Sequence, residues 1–184
     1  MNFPRFPLSW KAGVILIIEI NKITVKIAIK EYLFSIKIFM KIVNKKFAKK
    51  KGGYLNVIKS IETEGKCPFC PDNFKYHKKE ILKKYGGWFI TENSWPYKNA
   101  KHHLLIIGVK HKEQLNELTG KDFNSVRFLA NWAVNKFKIK GGALTIRFGN
   151  TDFTGSTVCH IHFHLISPEI KKSGLAKTVN FPIG

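Results

Sequence analysis

The chain has 184 residues, of which 44% are hydrophobic and 24% are charged. These values are ordinary for a globular protein, so they exclude wholesale disorder and a collagen-like repeat. No run of 18 uncharged apolar residues occurs, so we expect no membrane-spanning helix. The net charge of +20 favours anionic partners such as phosphates, nucleic acid or an acidic membrane surface. An odd count of three cysteines fits a reducing compartment, so we predict a cytoplasmic location.

The N-terminal segment is the most basic part of the chain. Residues 1–51 carry 12 basic and 2 acidic residues, which is half of the net charge. Alternation of Ile and Lys over residues 22–30 predicts a half-buried strand, and residues 32–43 also suit a basic amphipathic helix. A lysine cluster at 45–51 followed by two glycines indicates a flexible boundary. We therefore separate an N-terminal extension, residues 1–53, from a folded domain, residues 54–184.

Three interpretations of this extension stay open. It is an arm that binds nucleic acid or an anionic surface, or a solvated tail that reflects a lysine-rich composition. The third interpretation is an upstream start artefact, with translation beginning at a residue such as Met40.

The remaining chain alternates between apolar runs and one long helical pattern. Apolar positions recur at helical spacing through residues 113–138, before two glycines. A shorter helix is predicted over residues 54–64. Strands are predicted at residues 88–90, 104–107, 143–148 and 158–166. Strands with short links and a single long helix predict an α+β domain, with a central antiparallel sheet of about five strands.

The most informative segment is Val158-Cys159-His160-Ile161-His162-Phe163-His164-Leu165-Ile166. Alternate side chains of a strand share one face, so His160, His162 and His164 are predicted to point together while the apolar residues face the core. Three aligned imidazoles either bind a metal, or one acts as a nucleophile or base that the others hold. An imidazole that attacks phosphorus needs its far nitrogen hydrogen-bonded, so that the attacking nitrogen is unprotonated.

This segment resembles the His-φ-His-φ-His-φ-φ signature of the histidine triad (HIT) nucleotide hydrolases and transferases, where φ is an apolar residue. Three further blocks resemble the family in the same order along the chain. They are Asn93-Ser94-Trp95-Pro96, His103-Leu104-Leu105-Ile106-Ile107 with Lys110-His111, and Gly155-Ser156-Thr157-Val158. The resemblance covers about residues 67–168.

The resemblance implies a covalent mechanism at the α-phosphate of a nucleotide. His162 would be the nucleophile, His164 would contact the phosphate and leaving group, and His160 completes the catalytic triad. The backbone amides of a Gly-rich loop can hold phosphate oxygens, which gives this role to Gly155, Ser156 and Thr157. Asn93 would contact the ribose, and Asn150 would lie beside the phosphates. Members commonly form homodimers, so a homodimer is expected.

Cys67-Pro68-Phe69-Cys70 is a Cys-x-x-Cys motif, which is a zinc half-site, a redox pair or two inert cysteines. The resemblance supplies the other ligands, because zinc-bearing relatives use the histidine that closes the Lys-x-His run and the first triad histidine. It therefore implies a structural zinc site formed by Cys67, Cys70, His111 and His160. A closed site of two thiolates and two imidazoles is structural rather than catalytic.

Two other functions remain open at this stage. The first is a non-catalytic nucleotide-binding protein on the same fold, and the second is a nucleic-acid-binding protein that uses the basic surface. Arg147 lies on the strand before the loop and could reach a phosphate or be solvated, whereas His103 is expected to be a buried structural histidine. The motifs do not distinguish dinucleoside polyphosphates from nucleoside phosphoramidates, nor hydrolysis from transfer.

Overall fold

The structure is a computed structural model that describes residues 25–26, 42–48 and 53–183. The chain divides into two compact units, residues 1–40 and 41–184. Of the first unit only Val25 and Lys26 are described, and both are helical and exposed. The strand predicted over residues 22–30 is wrong at these two residues. A half-buried strand is stabilised by one buried face, and both of these side chains are exposed. The remaining predictions for residues 1–41 lie outside the described residues.

A five-stranded antiparallel sheet forms the centre of the second unit, with the order β1-β2-β3-β5-β4. The strands are β1 (Ile81–Tyr85), β2 (Trp88–Glu92), β3 (Ala100–Gly108), β4 (Ala143–Ile146) and β5 (His162–Pro168). The α+β prediction is therefore confirmed. The sequence pattern missed β1, because its Ile-Leu-Lys-Lys-Tyr sequence buries none of its residues fully. The strand predicted over residues 158–166 begins only at His162 in the structure. The backbone amides before it, those of Cys159 and Ile161, donate to Ile42 and Lys112 in loops instead of to a neighbouring strand.

Three helices accompany the sheet: α1 (Tyr54–Glu64), α2 (Gly120–Lys136) and the short α3 (Thr151–Thr154). Three 3-10 turns lie at Lys45–Phe47, Pro71–Tyr76 and Leu115–Glu117. The long helix begins later than its periodicity predicts, because Thr119 and Asp122 form a capping box at its first turn. Reciprocal bonds of this kind satisfy amide groups that a helix start leaves unpaired. No described helix is long and apolar enough to cross a membrane.

The main core lies between α2 and one face of the sheet. Val126, Leu129 and Ala133 of the helix pack against strand residues such as Ile106 and Phe163. Full burial of a large apolar side chain contributes about 1.5–3 kcal/mol to folding, so this layer fixes the orientation of β5. Because side chains alternate along a strand, the histidines of β5 are directed to the opposite face.

Residues 42–48 attach to the loop that precedes β5. Val43 forms a β-bridge with Val158, and the Asn44 amide donates to the Thr157 carbonyl at 2.9 Å. The buried Asn44 side chain also donates to Asp152 Oδ1 at 2.8 Å. These residues belong to the extension in our division of the sequence, yet they pack on the domain with α1. The boundary at residue 53 stays a prediction.

Candidate active site and metal cluster

The three histidines lie around the start of β5, and all three are buried, at 2%, 6% and 4% exposure for His160, His162 and His164. The intervening Ile161, Phe163 and Leu165 belong to the main core. His162 and His164 stand side by side, with ring centroids 4.7 Å apart. Pairing with β3 fixes their positions, because Ile107 lies opposite His162 and Leu105 lies opposite His164. The predicted alternation is confirmed for His162 and His164, which line a covered site instead of an open face. His160 lies before β5 and does not line this site.

His162 is held in one tautomer by its own strand. Its Nδ1 lies 2.7 Å from the His160 carbonyl oxygen, which can only accept, so Nδ1 carries the proton. The neutral ring therefore leaves Nε2 unprotonated. Burial lowers the pKa of His162 to about 4, so the ring is neutral at physiological pH. An unprotonated, oriented Nε2 is the state that nucleophilic attack requires.

The tautomer of His164 follows from a chain of hydrogen bonds. The Tyr97 backbone N–H donates to His103 Nδ1 at 3.1 Å, so His103 carries its proton on Nε2. That Nε2–H donates to His164 Nδ1 at 2.9 Å. Burial holds the pKa of His164 well below its usual range, so this ring is neutral and its proton lies on Nε2. His103 is therefore buried, as expected, and it also orients a triad histidine.

Arg147 lies against the His164 end of the triad and is buried at 8% exposure. Its guanidinium donates to Tyr97 Oη at 3.0 Å and to the Pro182 carbonyl at 2.6 Å. The Phe181 ring covers one face of the guanidinium, with its centroid 3.7 Å from Cζ. Of the two alternatives for Arg147, the solvated side chain is excluded.

The loop before the triad has its own internal bonds. Gly155 ends α3 in the left-handed region, at φ 66°, which glycine adopts at no steric cost. Ser156 Oγ donates to the Val158 carbonyl at 2.9 Å, so its hydroxyl stabilises the turn. The Thr157 hydroxyl is hydrogen-bonded to the Tyr54 hydroxyl of α1. All three loop residues line the same cavity as His162 and His164.

The two predicted asparagines occupy different places. Asn93 lines the cavity, and its side chain accepts from the Trp95 amide at 2.9 Å and lies 3.2–3.3 Å from the ring nitrogens of His103. Asn150 is exposed and caps α3, where it accepts from the Asp152 amide at 2.9 Å. The structure brings Asn93 to the triad but does not place Asn150 in the cavity lining.

The cavity has a volume of about 150 Å³. Its polar end is formed by His162, His164, the loop and Arg147, whereas its other walls are largely apolar and aromatic. The Tyr54 and Trp95 rings lie side by side there, with centroids 4.5 Å apart. Phe69 packs edge-on against His162 at 5.0 Å. A polar end beside an aromatic wall suits a ligand with one anionic and one flat apolar part.

His160 faces away from this cavity and joins a second cluster. Its Nδ1 lies 3.3 Å from Cys67 Sγ and 3.8 Å from Cys70 Sγ, and Cys70 Sγ lies 3.4 Å from His111 Nδ1. One donor atom from each of these four residues lies within 4.8 Å of the others. Tetrahedral zinc separates its sulfur and nitrogen ligands by about 3.5 Å, given the usual bond lengths. The donor set and its spacing therefore fit a zinc ion.

Both histidines of the cluster are oriented through their other nitrogen. His160 Nε2–H donates to the Gly108 carbonyl at 2.9 Å, and His111 Nε2–H donates to Glu113 Oε1 at 2.8 Å. The Nδ1 atoms therefore present lone pairs to the two sulfurs, as metal ligands do. Burial raises the pKa of the Cys67 thiol to about 12, so its thiolate needs a cation beside it. All four predicted ligands meet here. The catalytic assignment of His160 stays a prediction.

Sequence patterns missed two features of the site. Tyr97 and Phe181 both contact His164, with ring centroids 6.0 and 5.2 Å away. Phe181 comes from the C-terminal segment, and nothing in its local sequence marks it. Tyr97 directly follows the Asn-x-x-Pro block, and this position next to a block that resembles the family was the available signal.

Comparison with protein-family models finds a match to one family. The model of the HIT domain matches residues 96–170. Similar solved structures include a "Hit Like Protein", with 27% identity, a TM-score of 0.42, and coverage of 50% of this chain and 85% of that one. A histidine triad nucleotide-binding protein from Candida albicans has 19% identity, a TM-score of 0.49, and coverage of 65% and 85%. A zinc-bound histidine triad family protein from Mycobacterium smegmatis has 17% identity, a TM-score of 0.46, and coverage of 64% and 84%.

No curated protein sequence matches the chain significantly. The match over residues 96–170 contains His103, Arg147 and all three triad histidines. The match therefore identifies residues 96–170 of this chain as a HIT domain.

Proposed function

We propose that this protein hydrolyses nucleotides, or transfers their nucleotidyl group, through a covalent intermediate on His162. The observation that carries the proposal is the 2.7 Å hydrogen bond from His162 Nδ1 to the His160 carbonyl. This bond leaves Nε2 unprotonated, and His162 lines the cavity that also holds the loop and Asn93. Dinucleoside polyphosphates and nucleoside phosphoramidates are the proposed substrate classes.

The reaction needs two displacements at phosphorus. The Nε2 lone pair of His162 attacks the α-phosphorus, a P–N bond forms, and the bond from phosphorus to the leaving group breaks. The His164 Nε2–H donates a hydrogen bond to the leaving group, and the proton that this group takes comes from solvent. Water then attacks the same phosphorus, the P–N bond breaks, and one proton of the water is released to solvent. The products are a nucleoside monophosphate and the leaving group.

The surroundings of His162 support this order of events. The Gly155–Thr157 loop lies in the cavity lining. The Gly155 and Ser156 amides donate to the Thr151 carbonyl and to Thr154 Oγ1 at 3.2 and 3.3 Å, so the proposed contact with a phosphate oxygen falls to the Thr157 amide. The Tyr54 and Trp95 rings form an apolar wall suited to a nucleobase. Asn93 accepts from the Trp95 amide and lines the same cavity as His162, which suits the ribose contact implied by the resemblance.

Turnover of adenosine 5′-phosphoramidate tests the proposal. We expect wild type to release AMP and His162→Ala to lose at least about 1,000-fold in kcat, because removal of a nucleophile alone costs several orders of magnitude. The matched control is His102→Ala, at a half-buried position of β3 outside this cavity. Thermal unfolding confirms that both variants fold. An inactive wild type, tested also on a dinucleoside polyphosphate, or an active His162→Ala, contradicts the proposal.

We also propose that the ion of the metal cluster is structural zinc. Two sulfurs and two imidazole nitrogens leave no open coordination position for substrate. The ion would hold the segment around Cys67 to His160, two residues before the nucleophile. A homodimer and a cytoplasmic location remain predictions, and sedimentation and fractionation test them.

A second candidate function is nucleic-acid binding, which one feature of the surface favours. A larger cavity, of about 760 Å³, lies beside β4 and the ends of β3 and β5. Four lysines line it: Lys101, Lys138, Lys140 and Lys177. If these lysines contact phosphates, the logarithm of the binding constant of the full chain for a labelled oligonucleotide should fall linearly with the logarithm of the salt concentration. Binding that Lys138→Gln and Lys140→Gln together leave unchanged contradicts a role for this cavity.

A further inference from the structure

The side chains of Arg147 and His164 face each other as two hydrogen-bond donors. Arg147 Nη1 lies 3.3 Å from His164 Nε2. The Tyr97 amide and His103 place the proton of His164 on that same Nε2, so it cannot accept from a guanidinium. Both groups therefore lack an acceptor at this point, and an oxygen of an anion would satisfy both.

The charge of Arg147 is also unbalanced. The side chain is 92% buried, since its exposure is 8%, and none of the ion pairs among the described residues includes it. Its acceptors are the neutral Tyr97 hydroxyl and the Pro182 carbonyl. Its buried Nε–H has no partner in the described part of the chain. Buried charges are normally paired, because an unpaired ion loses its hydration without compensation.

The orientation of the guanidinium is fixed by two residues of the C-terminal segment. The Pro182 carbonyl accepts from Nη2, and Phe181 covers one face. Phe181 also packs edge-on against Tyr97 and His164, with centroids 5.9 and 5.2 Å away. A rigid guanidinium with free donors is preorganised for phosphate, because its planar fork matches two phosphate oxygens.

We propose that Arg147 is a catalytic residue that binds the phosphate group under attack by His162, together with the Nε2–H of His164. This role rests on the proposed function. Arg147 lines the same cavity as His162 and the Gly155–Thr157 loop, so the guanidinium and the loop can contact one phosphate. As the nucleophile attacks, negative charge grows on the phosphate oxygens, and a preorganised cation in a dry site stabilises that charge strongly.

Calorimetric titration with AMP and with adenosine tests this role, because the two ligands differ only in the phosphate. The zinc-loaded full chain is compared with Arg147→Gln, Arg147→Lys and the control Arg127→Gln, whose arginine is exposed on α2. We expect Arg147→Gln to weaken AMP binding about 10- to 100-fold, as the loss of a charged hydrogen-bonded contact does. Adenosine binding should stay within about twofold, and Arg127→Gln should match wild type for both ligands.

Arg147→Lys keeps the charge but removes the planar fork. We expect it to bind AMP at least about fivefold more weakly than wild type, with adenosine binding unchanged. If thermal unfolding shows that Arg147→Gln does not fold, the AMP and adenosine affinities of Arg147→Lys test the role of Arg147 in its place. A guanidinium salt should restore part of the AMP affinity to Arg147→Ala and none to Arg127→Ala.

The outcomes separate this role from the proposed function. AMP binding that depends on Arg147 in a protein without turnover supports the anion site and contradicts the hydrolase. Turnover with wild-type kcat and AMP affinity in Arg147→Gln supports the hydrolase and overturns the role of Arg147. Equal losses for AMP and adenosine overturn it as well, because they indicate a collapsed cavity. A wild-type chain that turns over the substrate but does not bind AMP at millimolar concentration overturns the role of Arg147 alone.

Discussion

The two ends of the histidine triad present opposite chemistry. At the His160 end, lone pairs converge: two sulfurs and two Nδ1 atoms lie within 4.8 Å of one another. At the His164 end, N–H groups converge, because the Nε2–H of His164 faces the Arg147 guanidinium at 3.3 Å. One end is built for a cation and the other for an anion. Identical side chains acquire these roles through the hydrogen bond made by their other ring nitrogen.

His162 stands between these ends and shares features with both. Like His160 it donates to a backbone carbonyl, and like His164 it lines the cavity. Its lone pair is therefore directed at a site whose neighbours are donors. A phosphate held by donors beside one unprotonated nitrogen is a near-attack arrangement.

The largest expected effect is at the cation end, in Cys67→Ser. Loss of one of the two thiolates should remove bound zinc, which metal analysis of the purified chain measures. If free zinc exceeds its Kd 1,000-fold, binding contributes about 4.1 kcal/mol. The Tm should then fall by roughly 8–16 °C, given about 2–4 °C per kcal/mol for a chain of this size.

Cys159→Ala is the matched control for this change, since Cys159 is a buried cysteine outside the cluster of four. It should keep one zinc per chain, even if loss of its packing lowers the Tm. Full zinc occupancy in Cys67→Ser would show that the cluster is not the binding site.

A smaller effect is expected from the residue that orients His111. Glu113→Ala removes the acceptor 2.8 Å from His111 Nε2. Loss of such an outer partner typically weakens metal affinity about 10- to 100-fold. Competition against a chromophoric chelator measures the change. Glu113→Gln retains an acceptor oxygen and should lose less affinity than Glu113→Ala. Equal zinc affinity in wild type and Glu113→Ala would contradict this role.

The smallest effect concerns the anion end. Phe181→Ala removes the ring that lies 3.7 Å from the guanidinium carbon of Arg147. Cation–π contacts of this kind contribute about 0.5–1 kcal/mol, so AMP binding should weaken roughly two- to fivefold. Phe153→Ala is the control, because Phe153 is 78% exposed. Unchanged AMP binding in Phe181→Ala would mean that the ring does not hold Arg147 in its binding position.

The cation end could be predicted from sequence more fully than the anion end. Cys-x-x-Cys and the triad are local patterns, and the order of the blocks resembles the family closely enough to assign His111. The anion end depends on residues far apart in sequence, because Arg147 meets Tyr97, 50 positions earlier, and Pro182, 35 positions later. No local pattern distinguishes a buried arginine from a solvated one directly after a four-residue strand.

The fold shows the same division between local and long-range information. Helix α1 agrees with its predicted limits because its glycine neighbours mark both ends. The packing of residues 42–48 on the loop before the triad could not be predicted, because Asn44 finds its partners Thr157 and Asp152 more than 100 positions away. A lysine-rich neighbourhood gave that segment the pattern of a tail.

The intermediate itself provides the most direct test of a nucleophile placed between a cation site and an anion site. Intact-protein mass spectrometry, after brief acid-free quenching with adenosine 5′-phosphoramidate, compares wild type with His162→Ala. We expect one added adenylyl group in wild type and none in the variant. Release of AMP by wild type without any adduct, or an adduct of equal abundance in His162→Ala, would contradict covalent catalysis at His162.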